Sequence, residues 1–230
     1  MPLIVHHLGI SQSERVVFLC EELGIPYELK LYKRSPLLSP PELKALHPIG
    51  AAPVIQDTDA GVTIAESEAC LEYINQVHGK NALGIQPGEK NYADYLYWYT
   101  FTNGTLQPAF GRIMTLSFSG VSNDDPGKKR YAAKVEQCLT HLDNRLAEVE
   151  WLAGDRFTAA DIMLMFTLTT GRKFVPWNLA KYPNVLAWMR RVAGREAYVR
   201  AMKKSDPELD VEDALRAEAP EPQAALKGKI

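Results

Sequence analysis

A pair of serines stands between the first predicted strand and the first predicted helix. Ser11 and Ser13 lie four and two residues before Arg15. Either hydroxyl could cap the helix, and we expect that role for Ser13. A hydroxyl at this junction could instead donate a hydrogen bond to a bound thiolate, which lowers the pKa of a thiol from roughly 8.5. Because the thiolate is the nucleophilic form, such a hydroxyl would promote attack by the bound sulfur.

A second polar pair, Glu66 and Ser67, opens a predicted helix directly after a short strand. An acid and a serine can be ordinary helix-start residues, since both interact favourably with the unpaired N–H groups of the first turn. The same helix end could also bind a ligand that carries a carboxylate and an ammonium group. The carboxylate would lie on the N–H groups and Ser67, and the ammonium near Glu66. The α-amino acid end of a γ-glutamyl peptide is such a ligand.

Pro53 occupies the first position of a predicted strand, after Ala51 and Ala52. One interpretation is a proline at the edge of a strand, where its missing N–H is tolerated. The other is a cis proline that turns the backbone, so that Ala52 offers its N–H and C=O to an extended peptide ligand as an added strand would. The sequence is compatible with both isomers.

Thr158 and Asp161 have the spacing of a capping box, in which each side chain accepts a hydrogen bond from the other residue's backbone N–H. Phe157 and Ile162 flank them with the spacing of a hydrophobic staple. We expect a structural role for this motif, as the start of the central helix of the second domain.

Apolar periodicity predicts the elements that carry these residues. Up to residue 80 it predicts the order β-α-β-α-β-β-α, with the last two strands as a hairpin. The remaining pattern is helical, with predicted helices near 90–118, 126–149, 158–172, 183–193 and 195–204. Pro108 is expected to kink the first of these helices. The predicted domains are 1–80, a linker at 81–90, a helical domain at 91–205 and a mobile acidic tail at 206–230.

Composition excludes several functional classes. The 26 Lys and Arg residues and 28 Asp and Glu residues give a net charge of -2, which provides no basic field for nucleic acid. Cys20, Cys70 and Cys138 are far apart, so neither a metal site nor a disulfide framework is expected. We find no apolar stretch long enough to span a membrane and no signal peptide. We therefore expect a cytoplasmic protein.

Taken together, these residues resemble the glutathione transferase superfamily over residues 3–204. The predicted β-α-β-α-β-β-α order, the Ala52-Pro53 step, the Glu66-Ser67 pair and the Thr-x-x-Asp box follow the family's order. The run from Tyr32-Lys33-Arg34 to His47-Pro48-Ile49-Gly50 is similar to fungal transferases of the yeast type and related bacterial forms. The resemblance implies a thioredoxin-like α/β domain followed by an all-α helical bundle.

The resemblance also implies roles for individual residues. Ser11 would activate the thiol of glutathione, as in the serine-type classes, and no cysteine or tyrosine stands at that position. Ala52 would bind the cysteine backbone of glutathione, Pro53 would be cis, and Glu66 with Ser67 would hold the γ-glutamyl end. Because Ala51 lacks a polar side chain, the glycyl carboxylate would be bound by Lys44, His47 or Arg34.

The helical domain would supply the apolar half of the site, for which we select Phe110, Met114 and Trp177, although each could equally be a core residue. Aromatic residues cover more than one face of the helix around residue 98, which favours a homodimer, as the family does. The list comprises Tyr95, Tyr97, Trp98, Tyr99 and Phe101.

The implied activity is conjugation of the glutathione thiolate to small apolar electrophiles, with reduction of peroxides as a further reaction. Glutathione would be a co-substrate, and neither a prosthetic group nor a metal is implied. Two alternatives remain. One is a glutathione-dependent disulfide reductase, in which the thiolate attacks sulfur. The other is a non-enzymatic regulatory or structural protein with this fold, because fold alone does not establish activity.

Overall fold

The structure, a computed structural model, describes residues 2–35, 37–223 and 226, which form two compact units. The sheet unit consists of residues 1–86 and 193–209, and the helical unit of residues 87–192 and 210–230. The boundary at residue 86 falls inside the linker predicted from the sequence. The division differs from the predicted domains near the C-terminus, because residues 193–209 belong to the sheet unit and the described residues from 210 onward belong to the helical unit.

The described residues contain four strands and ten α-helices, together with a π-helical turn at Thr102–Leu106 and a 3-10 helix at Thr170–Lys173. The strands are β1 Leu3–Leu8, β2 Glu28–Tyr32, β3 Val54–Asp57 and β4 Val62–Ala65. The helices are α1 Glu14–Leu23, α2 Pro41–Lys44, α3 Ser67–Val77, α4 Tyr92–Phe101, α5 Gln107–Phe118, α6 Pro126–Glu148, α7 Ala159–Leu168, α8 Pro183–Ala193, α9 Glu196–Ser205 and α10 Val211–Leu215. None of the helices in the described part of the chain combines the length and apolar character needed to cross a membrane.

The sheet has the order β2-β1-β3-β4, with β1 parallel to β2 and antiparallel to β3, and with β3 antiparallel to β4. This confirms the predicted β-α-β unit and hairpin. Every residue of β1 is buried, as expected for a strand whose neighbours and flanking helices cover both faces. The right-handed crossover rule accounts for the helix between the parallel strands β1 and β2.

Helix α9 packs on α1 within the sheet unit. The ring of Phe18 lies edge-on to that of Tyr198, with centroids 5.2 Å apart. Glu21 on α1 accepts a hydrogen bond from Arg200 at 3.1 Å and pairs with Lys204. These contacts explain why a helix that follows the helical unit in sequence belongs to the sheet unit.

The capping box predicted in the helical unit is present at the start of α7. The backbone N–H of Thr158 donates to Asp161 Oδ2 at 3.0 Å. The other carboxylate oxygen of Asp161 accepts from the N–H of Leu152 at 3.1 Å and from Nε1 of Trp188 at 2.9 Å. All ten residues of α7 are buried, so this carboxylate fixes the beginning of a helix that lies entirely within the core.

The helix predicted around residues 90–118 is interrupted by a π-helical turn, Thr102–Leu106, between α4 and α5. Pro108 stands in the first turn of α5, immediately after this segment. Proline lacks an N–H and clashes with the preceding turn of a regular helix, and π-helical turns commonly appear where the helical hydrogen bonding is disturbed. The interruption therefore lies where the proline was expected to act.

The segment after residue 205 differs from the mobile tail expected from its acidic composition. It contains α10 and is attached to the helical unit through Arg172, which is fully buried. Arg172 donates hydrogen bonds to the backbone carbonyls of five residues, Leu168, Trp177, Ala214, Arg216 and Glu218. Lys173 adds an ion pair with Asp213 at 2.7 Å. Residues 224, 225 and 227–230 lie outside the described part of the chain.

Candidate active site

The register of the sheet brings the predicted site residues of the first domain to one end of the sheet. Val54 at the start of β3 pairs with His6 of β1 and with Ala65 of β4. Pro53 precedes Val54 and Glu66 follows Ala65, so both lie at the end of the sheet where β1 leads into its loop. Ser11 belongs to that loop.

Ser11 and Ser13 form a hydrogen-bonded pair in that loop. Their hydroxyl oxygens are 2.6 Å apart, and Ser11 Oγ also accepts from the backbone N–H of Ser13 at 3.2 Å. Ser13 is fully buried, whereas Ser11 retains 6% of its accessible surface. Of the two serines, Ser11 therefore has the larger accessible surface.

Ser13 stands at the N-cap position of α1, as expected, but its side chain makes no capping hydrogen bond. Its hydroxyl instead accepts from the N–H of Leu8 at 3.1 Å and lies 2.9 Å from Nδ1 of His7. The Ser13 hydroxyl therefore contacts the buried His7 of β1 instead of the first N–H groups of α1. The expected capping role of Ser13 is thus corrected.

The loop that carries Ser11 is held from two sides. Ile10 has a φ of 51°, which is unusual for a β-branched residue. Its N–H donates to Asp206 Oδ1 at 2.8 Å, and its carbonyl accepts from the guanidinium of Arg34. Arg34 also donates to the carbonyl of Gly9 at 2.9 Å. Backbone strain of this kind persists only where surrounding contacts enforce it, and it is typical of functional sites.

Glu66 and Ser67 open α3 as expected, with Glu66 at a φ of 69° and exposed. The Ser67 hydroxyl, which is buried, accepts a hydrogen bond from Nη1 of Arg15 at 3.0 Å. The same Arg15 nitrogen donates to Oε1 of Gln12 at 2.9 Å. Gln12 follows Ser11 directly, so these contacts join the start of α3 to the loop that carries Ser11.

The peptide bond between Ala52 and Pro53 is cis, as the resemblance implied. Pro53 is buried, whereas Ala51 is exposed. Lys44 on α2 is exposed, and its Cγ would lie 3.5 Å from a Cβ placed on Gly50. Its side chain therefore lies against the loop that leads into the cis proline.

The other two residues considered for the glycyl end of glutathione differ from Lys44. His47 Nδ1 accepts a hydrogen bond from the N–H of Ile49 at 3.3 Å, and its ring is half-buried. Arg34 donates to the backbone carbonyls of Gly9, Ile10 and Leu37. Arg34 thus supports the Ser11 loop, which leaves Lys44 as the better-placed cation.

The cysteines are unsuited to nucleophilic chemistry. Cys20, Cys70 and Cys138 are free and buried. Burial raises the pKa of the thiol in each, to about 12 for Cys70. Reactive cysteines require a lowered pKa and access to solvent. None of these three thiols is therefore suited to act as a nucleophile.

The helical unit contains a cavity of about 580 Å³. Met114 and Trp177, both selected from the sequence, line it. Phe110 does not line it, because its buried ring packs edge-on against Trp177 with centroids 5.7 Å apart. Phe110 thus supports the cavity wall from behind. The other lining residues come from α5, α6, the segment after α7 and the C-terminal segment: Ile113, Ser117, Asn123, Lys128, Lys129, Ala132, Phe174, Val175, Pro176, Ala219, Pro220, Glu221 and Pro222.

Sequence reasoning missed two groups of residues. The first comprises His7 and Asp206, which lie behind Ser13 and are buried. The second is the stretch Ala219–Pro222, which lines the cavity. A signal existed for His7, since a histidine in an otherwise apolar strand needs a polar partner in the core. The proline-rich acidic tail carried no comparable signal, because most of its hydrogen bonds to Arg172 and Lys173 are accepted by backbone carbonyls.

Comparison with known proteins agrees with this arrangement. The family model described as glutathione S-transferase, N-terminal domain matches residues 11–77, and the one described as glutathione S-transferase, C-terminal domain matches residues 101–196. Glutathione S-transferase 3 of Schizosaccharomyces pombe is 32% identical over 247 aligned positions, which cover 96% of this chain and 97% of that protein.

Two crystal structures extend the comparison to bacteria. A glutathione S-transferase from Actinobacillus pleuropneumoniae is 31% identical and superimposes with a TM-score of 0.79, covering 91% of this chain and 95% of that one. A glutathione transferase from Burkholderia graminis, with two glutathione molecules bound per subunit, is 26% identical with a TM-score of 0.72, covering 90% and 88%. With both family domains in order and such identity along nearly its whole length, the chain belongs to the glutathione S-transferase family.

Proposed function

We propose that this chain is a glutathione transferase that binds glutathione at the Ser11 end of its sheet and transfers the sulfur to apolar electrophiles. One arrangement carries this function: the Ser11 hydroxyl, the cis Ala52–Pro53 bond and the Glu66–Ser67 pair share one end of the sheet. In this assignment Ala52 pairs with the cysteine backbone of glutathione. Glu66 and Ser67 hold the γ-glutamyl end, and Lys44 and His47 are assigned to the glycyl carboxylate.

Ser11 has the catalytic role in this proposal. Its hydroxyl donates a hydrogen bond to the sulfur and favours the thiolate over the thiol, since hydrogen bonding to the charged form lowers a pKa. The thiolate attacks an electrophilic carbon and displaces a leaving group or adds to the carbon. No covalent bond to the enzyme is needed, in keeping with the buried state of the three cysteines. A peroxide oxygen is a further electrophile for the same thiolate.

The cavity of the helical unit is assigned to the apolar electrophile. Its wall combines Met114 and Trp177 with apolar residues of the C-terminal segment, and Lys128, Lys129 and Glu221 add charge. A volume of about 580 Å³ is within the ordinary range for small-molecule sites. We also propose a cytoplasmic homodimer that detoxifies electrophiles. Leu96 and Tyr97 on α4 support the dimer, because each exposes nearly half of its surface in the single chain.

Separating binding from thiol activation tests the assignment. Ser11→Ala should raise the pKa of the bound thiol by about one unit and lower kcat about tenfold, because one hydrogen bond to a charged group is lost. Its affinity for S-methylglutathione, which has no ionisable thiol, should stay unchanged. Ser67→Ala should weaken binding of both ligands about five- to thirtyfold and leave the thiol pKa of bound glutathione unchanged.

The measurements are titration calorimetry for affinity and ultraviolet absorbance of the bound thiolate as a function of pH. Ser119→Ala in the exposed turn after α5 serves as the matched control. Equal and small effects of Ser11→Ala and Ser67→Ala would refute the role assignment. Failure of the unmodified protein to bind glutathione would refute the transferase itself and favour a regulatory or structural role.

A glutathione-dependent disulfide reductase is a second candidate, favoured by the two glutathione molecules per subunit in the Burkholderia graminis relative. In that reaction the bound thiolate attacks one sulfur of a mixed disulfide, forms glutathione disulfide and releases the other thiol. Parallel assays with an aromatic halide and with a glutathione mixed disulfide distinguish the two. The ratio of kcat/KM values decides which reaction is the principal one.

A further inference from the structure

A continuous chain of buried polar groups leads away from Ser11 into the sheet unit. Ser11 Oγ lies 2.6 Å from Ser13 Oγ, which lies 2.9 Å from His7 Nδ1. On the other side of the ring, His7 Nε2 lies 3.0 Å from Asp206 Oδ2, an ion-pair contact in which neither atom has a hydrogen-bond partner among the described residues. The exposed fractions of His7, Ser13, Ser11 and Asp206 are 0%, 0%, 6% and 8%. Only the Ser11 end of this chain approaches the proposed glutathione site.

The groups around Ser11, Ser13 and His7 favour proton transfer from Ser11 towards His7. The carboxylate of Asp206 attracts the proton of the imidazole to Nε2, which leaves Nδ1 as an acceptor for the Ser13 hydroxyl. Ser13 Oγ can in turn accept from Ser11, as it already does from the N–H of Leu8 at 3.1 Å. Ser11 Oγ accepts from the N–H of Ser13 at 3.2 Å, and its second lone pair can then accept a proton from a ligand.

Two polar groups contact the nitrogens of this imidazole. Asp206, directly after α9, lies 3.0 Å from Nε2, and the Ser13 hydroxyl, directly before α1, lies 2.9 Å from Nδ1. On the neighbouring strand the partner of His7 is Leu31, which carries no charge. Arg34 lies within electrostatic reach of Asp206: burial lowers the pKa of Arg34, and the charge of Asp206 opposes that change. A cationic His7 would therefore be balanced by Asp206, whose charge also acts on Arg34.

We propose that His7 receives the thiol proton of bound glutathione through Ser11 and Ser13, with Asp206 balancing the resulting imidazolium. The inference rests on the function proposed above. The S–H bond breaks as its proton bonds to Ser11 Oγ, the proton of Ser11 moves to Ser13 Oγ, and the proton of Ser13 moves to His7 Nδ1. The products are a thiolate and an imidazolium, and both serines regain neutral hydroxyls. No oxidant or further reactant is required.

The roles along the chain differ. Ser11 alone touches the sulfur and is the catalytic residue. Ser13, His7 and Asp206 act through it and are positioning residues in the relay. Burying a histidine and a carboxylate side by side costs folding free energy that neutral side chains of similar volume would not. A functional role would explain why such a pair is present. Acceptance of the thiol proton is such a role.

Proton counting on the unmodified protein tests the relay directly. Glutathione binding is measured at neutral pH in two buffers of different ionisation enthalpy, and the thiolate formed is measured by ultraviolet absorbance. If His7 keeps the proton, about one thiolate forms for each site with close to zero protons released. Release of about one proton for each thiolate would mean that the thiol proton goes to solvent, which would overturn the relay. Binding without thiolate would overturn it as well.

A charge-removing variant provides the second test. Asp206→Asn keeps an oxygen for the N–H of Ile10 but cannot balance an imidazolium, so the pKa of the bound thiol should rise by about one unit. Affinity for S-methylglutathione should remain within about twofold, because that ligand gives up no proton. Asp59→Asn, in the exposed turn between β3 and β4, is the matched control.

The outcomes separate the two proposals. An unchanged thiol pKa in folded Asp206→Asn would overturn the relay and leave the transferase standing. If Asp206→Asn loses affinity for S-methylglutathione, the substitution has disturbed the loop that carries Ile10 and Ser11. In that case proton counting on the unmodified protein decides whether the relay operates. Absence of glutathione binding by the unmodified protein would instead refute the proposed function, and the relay with it.

Discussion

Replacing Arg172 with methionine should release the C-terminal segment from the helical unit. Three of the five carbonyls to which Arg172 donates belong to that segment, those of Ala214, Arg216 and Glu218. Methionine fills a similar volume but removes the donor from all five carbonyls, of which those of Leu168 and Ala214 are buried. Loss of one hydrogen bond to a charged group costs about 1.5–3 kcal/mol. Assigning about 3 kcal/mol to local opening of the segment raises its open population roughly a hundredfold.

Limited proteolysis with trypsin measures this opening. Cleavage after Arg216, followed by intact-mass spectrometry, should accelerate about a hundredfold while opening and reclosing remain fast relative to cleavage. Arg190→Met on the exposed face of α8 is the control and should cleave at the unmodified rate. An acceleration of less than about threefold in Arg172→Met would refute the view that this guanidinium anchors the segment.

The same variant links the segment to the cavity. Pro220 and Pro222 line the cavity, so an opened segment removes part of its wall. Arg172→Met should therefore weaken binding of an apolar fluorescent dye to the cavity about tenfold or more, whereas S-methylglutathione, assigned to the sheet unit, should bind as before. Equal loss of both ligands would indicate global unfolding and contradict a local role for Arg172.

Two carboxylates yield further predictions for stability. Burial opposes ionisation of Asp57, but hydrogen bonds from Tyr73, the Ala60 N–H and His78 outweigh it and lower its pKa. The ionised Asp57 carboxylate therefore stabilises the fold at neutral pH, and this stabilisation is lost on acidification. The difference in unfolding free energy between the unmodified protein and Asp57→Asn should shrink as the pH falls below about 4. A pH-independent difference in urea unfolding would contradict this. Asp161→Ala should cost about 2–3 kcal/mol and Trp188→Phe about 1–2 kcal/mol in urea unfolding, with the double variant costing less than the sum because each change removes the hydrogen bond between the two side chains. Strict additivity would count against that bond.

Elements encoded by local pattern were predictable from the sequence. The strand β1 and the helix α1 follow from apolar spacing, and the Thr158–Asp161 box was recognisable because its two hydrogen bonds close within four residues. Such contacts depend on side chains that are neighbours along the chain, so residue type and spacing are sufficient to predict them. The cis Ala52–Pro53 bond was expected only from the family resemblance, since both isomers fit the residues themselves.

The C-terminal segment shows where composition misleads. Its acidic and proline-rich sequence has few apolar side chains to bury, which predicted mobility. The structure attaches it through backbone carbonyls, and every residue supplies a carbonyl whatever its side chain. The specific information lies in Arg172, more than 40 residues earlier, whose guanidinium has five donors in a planar arrangement. Composition of a segment therefore cannot reveal a partner that reads only its backbone.

The pair His6-His7 in the middle of β1 explains both what sequence could have revealed and what it could not. Successive side chains of a strand point to opposite faces, and both faces of β1 are buried, so each histidine must find polar partners on its own side of the sheet. His6 meets Tyr32 at 2.9 Å and Gln56 at 3.0 Å, both on adjacent strands. His7 meets Ser13 and Asp206. That two buried histidines need partners follows from the strand pattern alone.

The packing of α9 against α1 decides which of the 28 Asp and Glu residues becomes the partner of His7, because this contact brings together residues almost 200 positions apart. A relay behind Ser11 is thus a property of the tertiary fold, and its test must address Asp206 as well as the residues of the loop.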